Sequence, residues 1–425
     1  MSSLPNKITD VPGLHDEIRG RFAHVESCPF TGDRIFFENA GGALTLNFVV
    51  DTSAKFAAIP DNQGRANQAS GQLMNVISKA KQDIHAFFNA SGGTAFVGES
   101  GTELLFRLIS AACLASQEGG IVLGSTLEHP ASRSACEQWA ATSGKSHVLV
   151  PHNKETGTVT ADDYASLITD QVRVATIIHT SPVTGMSVDV AAIASAIREK
   201  APDCFIIVDG IQHASHGGIN VDECGVDGYV ISPYKVFSRH GYGVAWVSER
   251  FMTMPHNRLV GGPDSNWELG TRDTGSYATF TDVVDYFEWL GSHFTSNEDK
   301  RERIEAGGKA IHSHEKLLTD AMLYGTGNLK GLADMESVNI IGGVDNPARE
   351  GLVSLYVENI ESADVVSRLE EAGIRVHIRK ADHYSGNVLQ PLGLNDCVRV
   401  SMCHYNSEQE VAAFLTVMAE IVGDS

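Results

Sequence analysis

Between residues 121 and 247, short apolar runs alternate with amphipathic stretches, and this alternation restricts the chain to few folds. The runs at 121–123, 148–150, 174–178, 205–208, 228–231 and 244–247 are rich in β-branched residues and bounded by glycine or polar residues, the pattern of strands buried on both faces. Between two of them Asp189 opens a stretch with Val190, Ile193 and Ile197 at helical spacing. Strands alternating with helices imply an α/β fold with a mainly parallel sheet. In such a sheet, ligands bind beyond the carboxyl ends of the strands. Asp209 follows the run at 205–208, and Lys235 follows the run at 228–231, so an acid and a lysine emerge from strand ends.

A lysine between two apolar strands snorkels outward, pairs with an acid, or is neutralised by desolvation and becomes a nucleophile. Lys235 alone leaves all three readings open. With Asp209 beside it, the pair matches what pyridoxal phosphate requires: an amine that forms an imine, and a carboxylate that keeps the pyridine nitrogen protonated.

Three segments carry a family resemblance: VDGIQH at 208–213, SPYK at 232–235 and HGYGVAW at 240–246. Together they resemble the class V aminotransferase and cysteine desulfurase group of fold-type I enzymes. The resemblance implies a large domain with a mainly parallel sheet flanked by helices (35–280), preceded by an amino-terminal segment (1–34). Bridging helices and a smaller α+β carboxyl-terminal domain follow (281–425). It makes Lys235 the Schiff-base lysine, Asp209 the partner of the pyridinium, and Gln212 the partner of the ring's phenolic oxygen.

Other segments extend the match. SGTE at 100–103 precedes an apolar helical run and resembles the family's GTTE loop, which assigns Gly101 and Thr102 to the cofactor phosphate at a helix amino terminus. Ser232 joins the cofactor contacts, and Tyr234 stands where the family often has histidine, its hydroxyl still able to reach a phosphate oxygen. His129 of the Glu128-His129 pair stacks on the ring and helps to move protons. Residues 266–275 resemble FExGTxNxxG, so Thr271 reaches the phosphate of a second subunit and a homodimer with the site at its interface is expected. CVRVSMCHYNSEQEV at 397–411 resembles CRASxxxYNTxEEV, making Arg399 the ligand of the substrate α-carboxylate. ENAGG at 38–42 resembles LDNAA, placing Ala40 and Gly41 beside that carboxylate. Arg65 lies in a polar loop whose plain reading is solvent exposure.

Two departures matter. HTSPVTG at 179–185 carries Pro182 where desulfurases have asparagine, and proline offers neither an amide side chain nor an N–H. RKADHYSGNVLQPLG at 379–393 has His383, Tyr384, Ser385 and Gly386 where desulfurases carry a cysteine in RxGHHCAQPL. Desulfuration through a persulfide is therefore disfavoured. The expected function is amino transfer on a small α-amino acid. The alternatives are a β-eliminating C–S lyase, a racemase or epimerase, and a silent cofactor-binding protein.

A formal charge of −21 over 425 residues argues against nucleic acid or an anionic membrane as partner. No stretch of 18 apolar residues occurs and the first 20 residues lack an apolar core, so a cytoplasmic location is expected. The seven scattered cysteines read as reduced and mostly buried. GTGNLKG at 325–331 and SGKS at 143–146 lack the context of nucleotide loops and read as turns. His213 and His216 lack the further ligands of a metal site, and none is assigned.

Overall fold

The structure is a computed structural model that describes residues 5–423; the outermost positions of the expected segments 1–34 and 281–425 lie outside the described residues. Its centre is a seven-stranded sheet of β1 (Thr94–Gly98), β2 (Ile121–Ser125), β3 (Ser146–Val150), β4 (Val172–Ile178), β5 (Phe205–Asp209), β6 (Gly228–Ile231) and β7 (Gly243–Val247). The spatial order is β1-β7-β6-β5-β4-β2-β3. Neighbours from β6 through to β3 run parallel, whereas β7 is antiparallel to both β6 and β1. Only the loop holding Lys235 joins β6 to β7, and a connection that short must reverse the chain.

Alternate residues of these strands enter two different cores. Ile207, Val230 and Ala245 pack with α2 (Gly101–Ala115) through Leu104 and Leu108, while Ile206, Val208, Ile231 and Val244 face the opposite layer with α1 (Gln68–Phe88) and α5 (Thr274–Gly291). On α1, the Asn67 side chain caps the amino terminus at Ser70 N, so the helix starts earlier than the apolar periodicity from Leu73 indicates. Asp273 likewise caps α5 at Gly275 N, so this helix begins ahead of the expected bridging segment at 281. The stretch at 325–331 is a hairpin pairing Gly325–Thr326 with Leu329–Lys330.

A second, four-stranded antiparallel sheet follows: β8 (Val338–Ile340), β9 (Leu352–Val357), β10 (His377–Lys380) and β11 (Asp396–Ser401), ordered β8-β9-β11-β10. Val353, Leu355, Val398 and Val400 pack there against Val365 of α7 (Ser362–Glu371) and Phe414 of α8 (Glu408–Val422). Residues 35–37, read from the sequence as the start of the large domain, belong to this unit: Ile35–Phe36 pairs with Ile374–Arg375, and Phe37 lies in the second core.

The long helix α6 (Lys300–Tyr324) joins the two cores, with Ile304 and Ile311 in the first and Leu318 and Met322 in the second. Its approach to α5 is closer than side chains allow. A Cβ on Gly291 would lie 1.7 Å from Arg303 O, and one on Gly307 would lie 2.5 Å from Phe287 O. No helix among the described residues is long and apolar enough to cross a membrane. Because backbone cannot retreat from the added methyl, Gly291→Ala is expected to destabilise the protein by about 1–3 kcal/mol. Chemical denaturation checks this, and an unchanged midpoint contradicts the close packing.

Candidate active site

At the carboxyl edge of the sheet, β5 ends in Asp209 and β6 leads through Ser232 into a 3-10 turn, Pro233–Lys235. The chain can turn sharply after Asp209 because Gly210 has no side chain: a Cβ there would lie 2.0 Å from the Tyr229 ring. Thr102, His129, Asp209, Gln212, Ser232, Tyr234 and Lys235, all singled out from the sequence, line one cleft, completed by Ile178, Thr180, Pro182 and Ile211. A larger cavity between Arg173, Cys204 and Arg250 involves the opposite ends of the strands and contains none of these groups.

Lys235 donates from Nζ to Gln212 Oε1 at 3.1 Å. Burial of the ammonium, reinforced by the positive field of Arg399 and Arg379 and only partly offset by Asp209, brings its pKa down to about 7. The amine is thus substantially unprotonated at neutral pH. Asp209 is 3% exposed; its Oδ1 accepts from Ile211 N at 3.1 Å, and Ser132 Oγ donates to Oδ2 at 3.5 Å. Burial pushes this carboxyl up to about 6, against the lowering effect of the Ile211 N–H and Lys235. A cation brought against Asp209 stabilises its ionised form, which is the complement a pyridinium nitrogen needs.

His129 caps helix α3 (Pro130–Thr142), accepting from Ala131 N at Nδ1 at 3.2 Å. Burial, with Lys235 and Arg379 nearby, holds its pKa at about 3, so the ring is neutral. A neutral imidazole suits stacking on an aromatic ring, but a group this weakly basic is a poor proton carrier.

The amino terminus of α2 sits hard against the Lys235 turn. A Cβ on Gly101 would lie 2.4 Å from Ser232 Oγ, and one on Gly243 would lie 2.5 Å from the Ser100 carbonyl carbon. Ser100 caps the helix at Glu103 N, and the Gly101 and Thr102 N–H groups before it are among those a helix start leaves without an intrahelical partner. With Thr102 and Ser232 lining the same cleft, this end suits a phosphate. Tyr234 stacks on His240 with centroids 4.3 Å apart, and its ring packs on Gly42. The donors, the amine and the buried acid together fit pyridoxal phosphate.

Arg399 extends from β11 and is 2% exposed. Its Nη1 donates to the Pro182 carbonyl at 3.1 Å, while Nε has no hydrogen-bond partner. The acid acting on it, Glu38, is already held by Arg375 at 2.7 Å and His377 at 3.3 Å. A buried guanidinium with no carboxylate of its own is costly unless an anion joins it. Gly41 lies beside it, a Cβ there standing 3.6 Å from Arg399 Nη2, and Ala40 N donates to Ser401 Oγ at 2.8 Å. Pro182 thus offers its carbonyl to Arg399 where the desulfurase pattern has a side-chain amide.

Thr271 is exposed and lies outside this cleft, lining a separate one with Phe56, Asp61 and Gln63; Arg65 is exposed as expected. Cys397 and Cys403 are buried, and burial pushes the Cys397 thiol up to about 12. All seven cysteines are free. His213 and His216 bind Glu350 and Glu315, each at 2.7 Å, and no group of three or more His, Cys, Asp or Glu residues able to hold a metal occurs among the described residues.

Several further residues belong to the site. Arg379 is paired in register with Cys397, two residues from Arg399 on the same face of the small sheet, and its charge acts on Lys235, His129 and Arg399. It donates to Ser385 Oγ, and Asn387 Nδ2 donates to the carbonyls of Thr126 at 2.6 Å and Glu128 at 3.1 Å. The segment that lacks the cysteine is thereby fastened to the His129 turn. Arg379 was readable as the first residue of the RxGHHC-like pattern. Ser132 and Thr180 carried no comparable signal.

Residues 35–414 match the class-V aminotransferase family. The chain is 27% identical over 414 residues to a cysteine desulfurase-like protein of Aspergillus flavus, covering 92% of this chain and 88% of that protein. It is 25% identical over 374 residues to a probable cysteine desulfurase of Pseudomonas putida, covering 84% and 86%. Its fold is similar to that of the apo cysteine desulfurase from Thermococcus onnurineus, with a TM-score of 0.81, 21% identity and full coverage of both chains. The chain belongs to the class-V aminotransferase family of fold-type I, pyridoxal-phosphate-dependent enzymes.

Proposed function

We propose that the protein carries out amino transfer on a small α-amino acid at Lys235, as a homodimer. The observation that carries this reading is the Lys235 amine, held near neutrality at a strand end with Asp209 buried beside it. Pyridoxal phosphate, when bound, supplies an electron sink for negative charge at the substrate's Cα.

The chain's own residues do the rest. Gly101, Thr102, Ser232 and Tyr234 hold the phosphate end, and the charge of Asp209 keeps the ring nitrogen protonated. His129 covers the ring face and excludes water. Arg399, with the backbone at Ala40 and Gly41, fixes the substrate carboxylate, so that the Cα proton faces Lys235. An amine with a pKa of about 7 takes up and returns that proton efficiently at neutral pH. Thr271, outside the cleft of its own chain, completes the phosphate site of a second copy. Cys397 and Cys403 are buried with raised pKa values, which supports a route with no protein-bound sulfur.

Hydrogen bonds to a charged group contribute roughly 1.5–3 kcal/mol each. Arg399→Ala is therefore expected to raise KM for the amino acid by about tenfold or more while leaving cofactor content unchanged; steady-state kinetics and the visible spectrum check this, and an unaltered KM removes the clamp. Incubation of cofactor-loaded protein with single amino acids is expected to give the pyridoxamine form and the matching oxo acid. Pyruvate with ammonia would replace amino transfer by β-elimination, return of racemised substrate would make it a racemase, and an unchanged spectrum with all amino acids would contradict catalysis.

A further inference from the structure

Beneath Gln212 runs a line of buried polar groups that the proposed chemistry does not use. Gln212 Nε2 lies 3.2 Å from His216 Nε2, and His216 Nδ1 lies 2.7 Å from Glu315 Oε2 on α6. His216 and Glu315 are 2% and 1% exposed, and Glu315 Oε1 has no hydrogen-bond partner. With Glu315 as the acceptor, His216 holds its proton on Nδ1, and its Nε2 lone pair accepts from the Gln212 amide; burial raises the Glu315 pKa, against the lowering effect of the His216 contact. That orientation leaves Gln212 Oε1 accepting from the Lys235 amine at 3.1 Å.

This arrangement suits a donor at Lys235 and fails for an acceptor. In pyridoxal phosphate the phenolic oxygen is ortho to the aldehyde that bonds the lysine, so it shares the neighbourhood of Gln212 and calls for an N–H there. Gln212 can supply one only by turning its amide, which presents Oε1 to His216. Two acceptors would then meet unless His216 gains a proton at Nε2. We propose that Glu315 and His216 form a positioning pair: cofactor binding draws a proton onto His216 Nε2, Glu315 balances the charge, and the Gln212 amide turns to donate to the phenolic oxygen.

The surroundings favour this. Burial opposes charge on His216, but Glu315 and, from the loop before β9, Glu350 outweigh it, and the ring titrates above its usual value. Lys235 works against that charge, and His404, in the turn after β11, is held uncharged by burial and feels the charge of His216. The Lys235 opposition is relieved once the amine is covalently engaged beside an anionic oxygen.

The inference rests on the cofactor being bonded at Lys235. It is tested by spectrophotometric pH titration of cofactor-loaded protein. A donor to the phenolic oxygen weakens that oxygen's hold on the neighbouring imine proton. Glu315→Gln is therefore expected to raise the apparent pKa of the visible band by about one unit, the size of one hydrogen bond to a charged group. On a Gln212→Ala background the same change should add less than about 0.3 unit, since the pair acts only through Gln212. Should Glu315→Gln fail to accumulate, Glu315→Asp is expected to shift the band in the same direction by a smaller amount. An unmoved band in the Glu315 variant, or an equal shift on both backgrounds, overturns the pairing. Absence of any lysine-bonded band in the unaltered protein would instead overturn the site at Lys235.

Discussion

The organising constraint is the placing of one amine in surroundings hostile to its charge. Lys235 stands where β6 gives way to β7, with Gln212 as its hydrogen-bond partner and with Arg379 and Arg399 both disfavouring its protonation. Asp209 opposes that effect without removing it. A lysine so placed is reactive near neutrality, whereas the same residue on an exposed helix carries a proton through the whole physiological range.

The fold serves this placement. A parallel sheet buried on both faces brings Asp209, Lys235 and the amino terminus of α2 to one edge. Gly101, Gly210 and Gly243 remove the side chains that would hold those parts away from one another. The small sheet adds two arginines on one face, and the contact of Arg399 with the Pro182 carbonyl joins the two units across the cleft. Charge is therefore distributed by architecture: the amine and the acid come from the large sheet, and the two arginines that act on the amine come from the small one.

Much of this was legible in the residues. The apolar runs located the strands, and the residues bounding them gave Asp209 and Lys235, because strand ends are where polar groups escape a buried sheet. Helix starts were less visible: Asn67 and Asp273 cap their helices several residues ahead of the apolar periodicity. Long-range pairings were silent. Nothing local in Ile35–Phe36 announces its pairing with Ile374–Arg375, and neither His216 nor Glu315 reveals the other across 99 positions. The neutrality of His129 also required its burial and its cationic neighbours to be seen together.

The account stands or falls on the reactivity of the Lys235 amine, which cofactor attachment to stripped protein reads directly. The observed attachment rate is expected to climb about tenfold per unit below pH 7, as the fraction of free amine rises, and to level off above it. Lys235→Ala should abolish attachment at every pH. A rate that goes on climbing to pH 10, as an ordinary lysine's would, or attachment that survives the substitution, would contradict it.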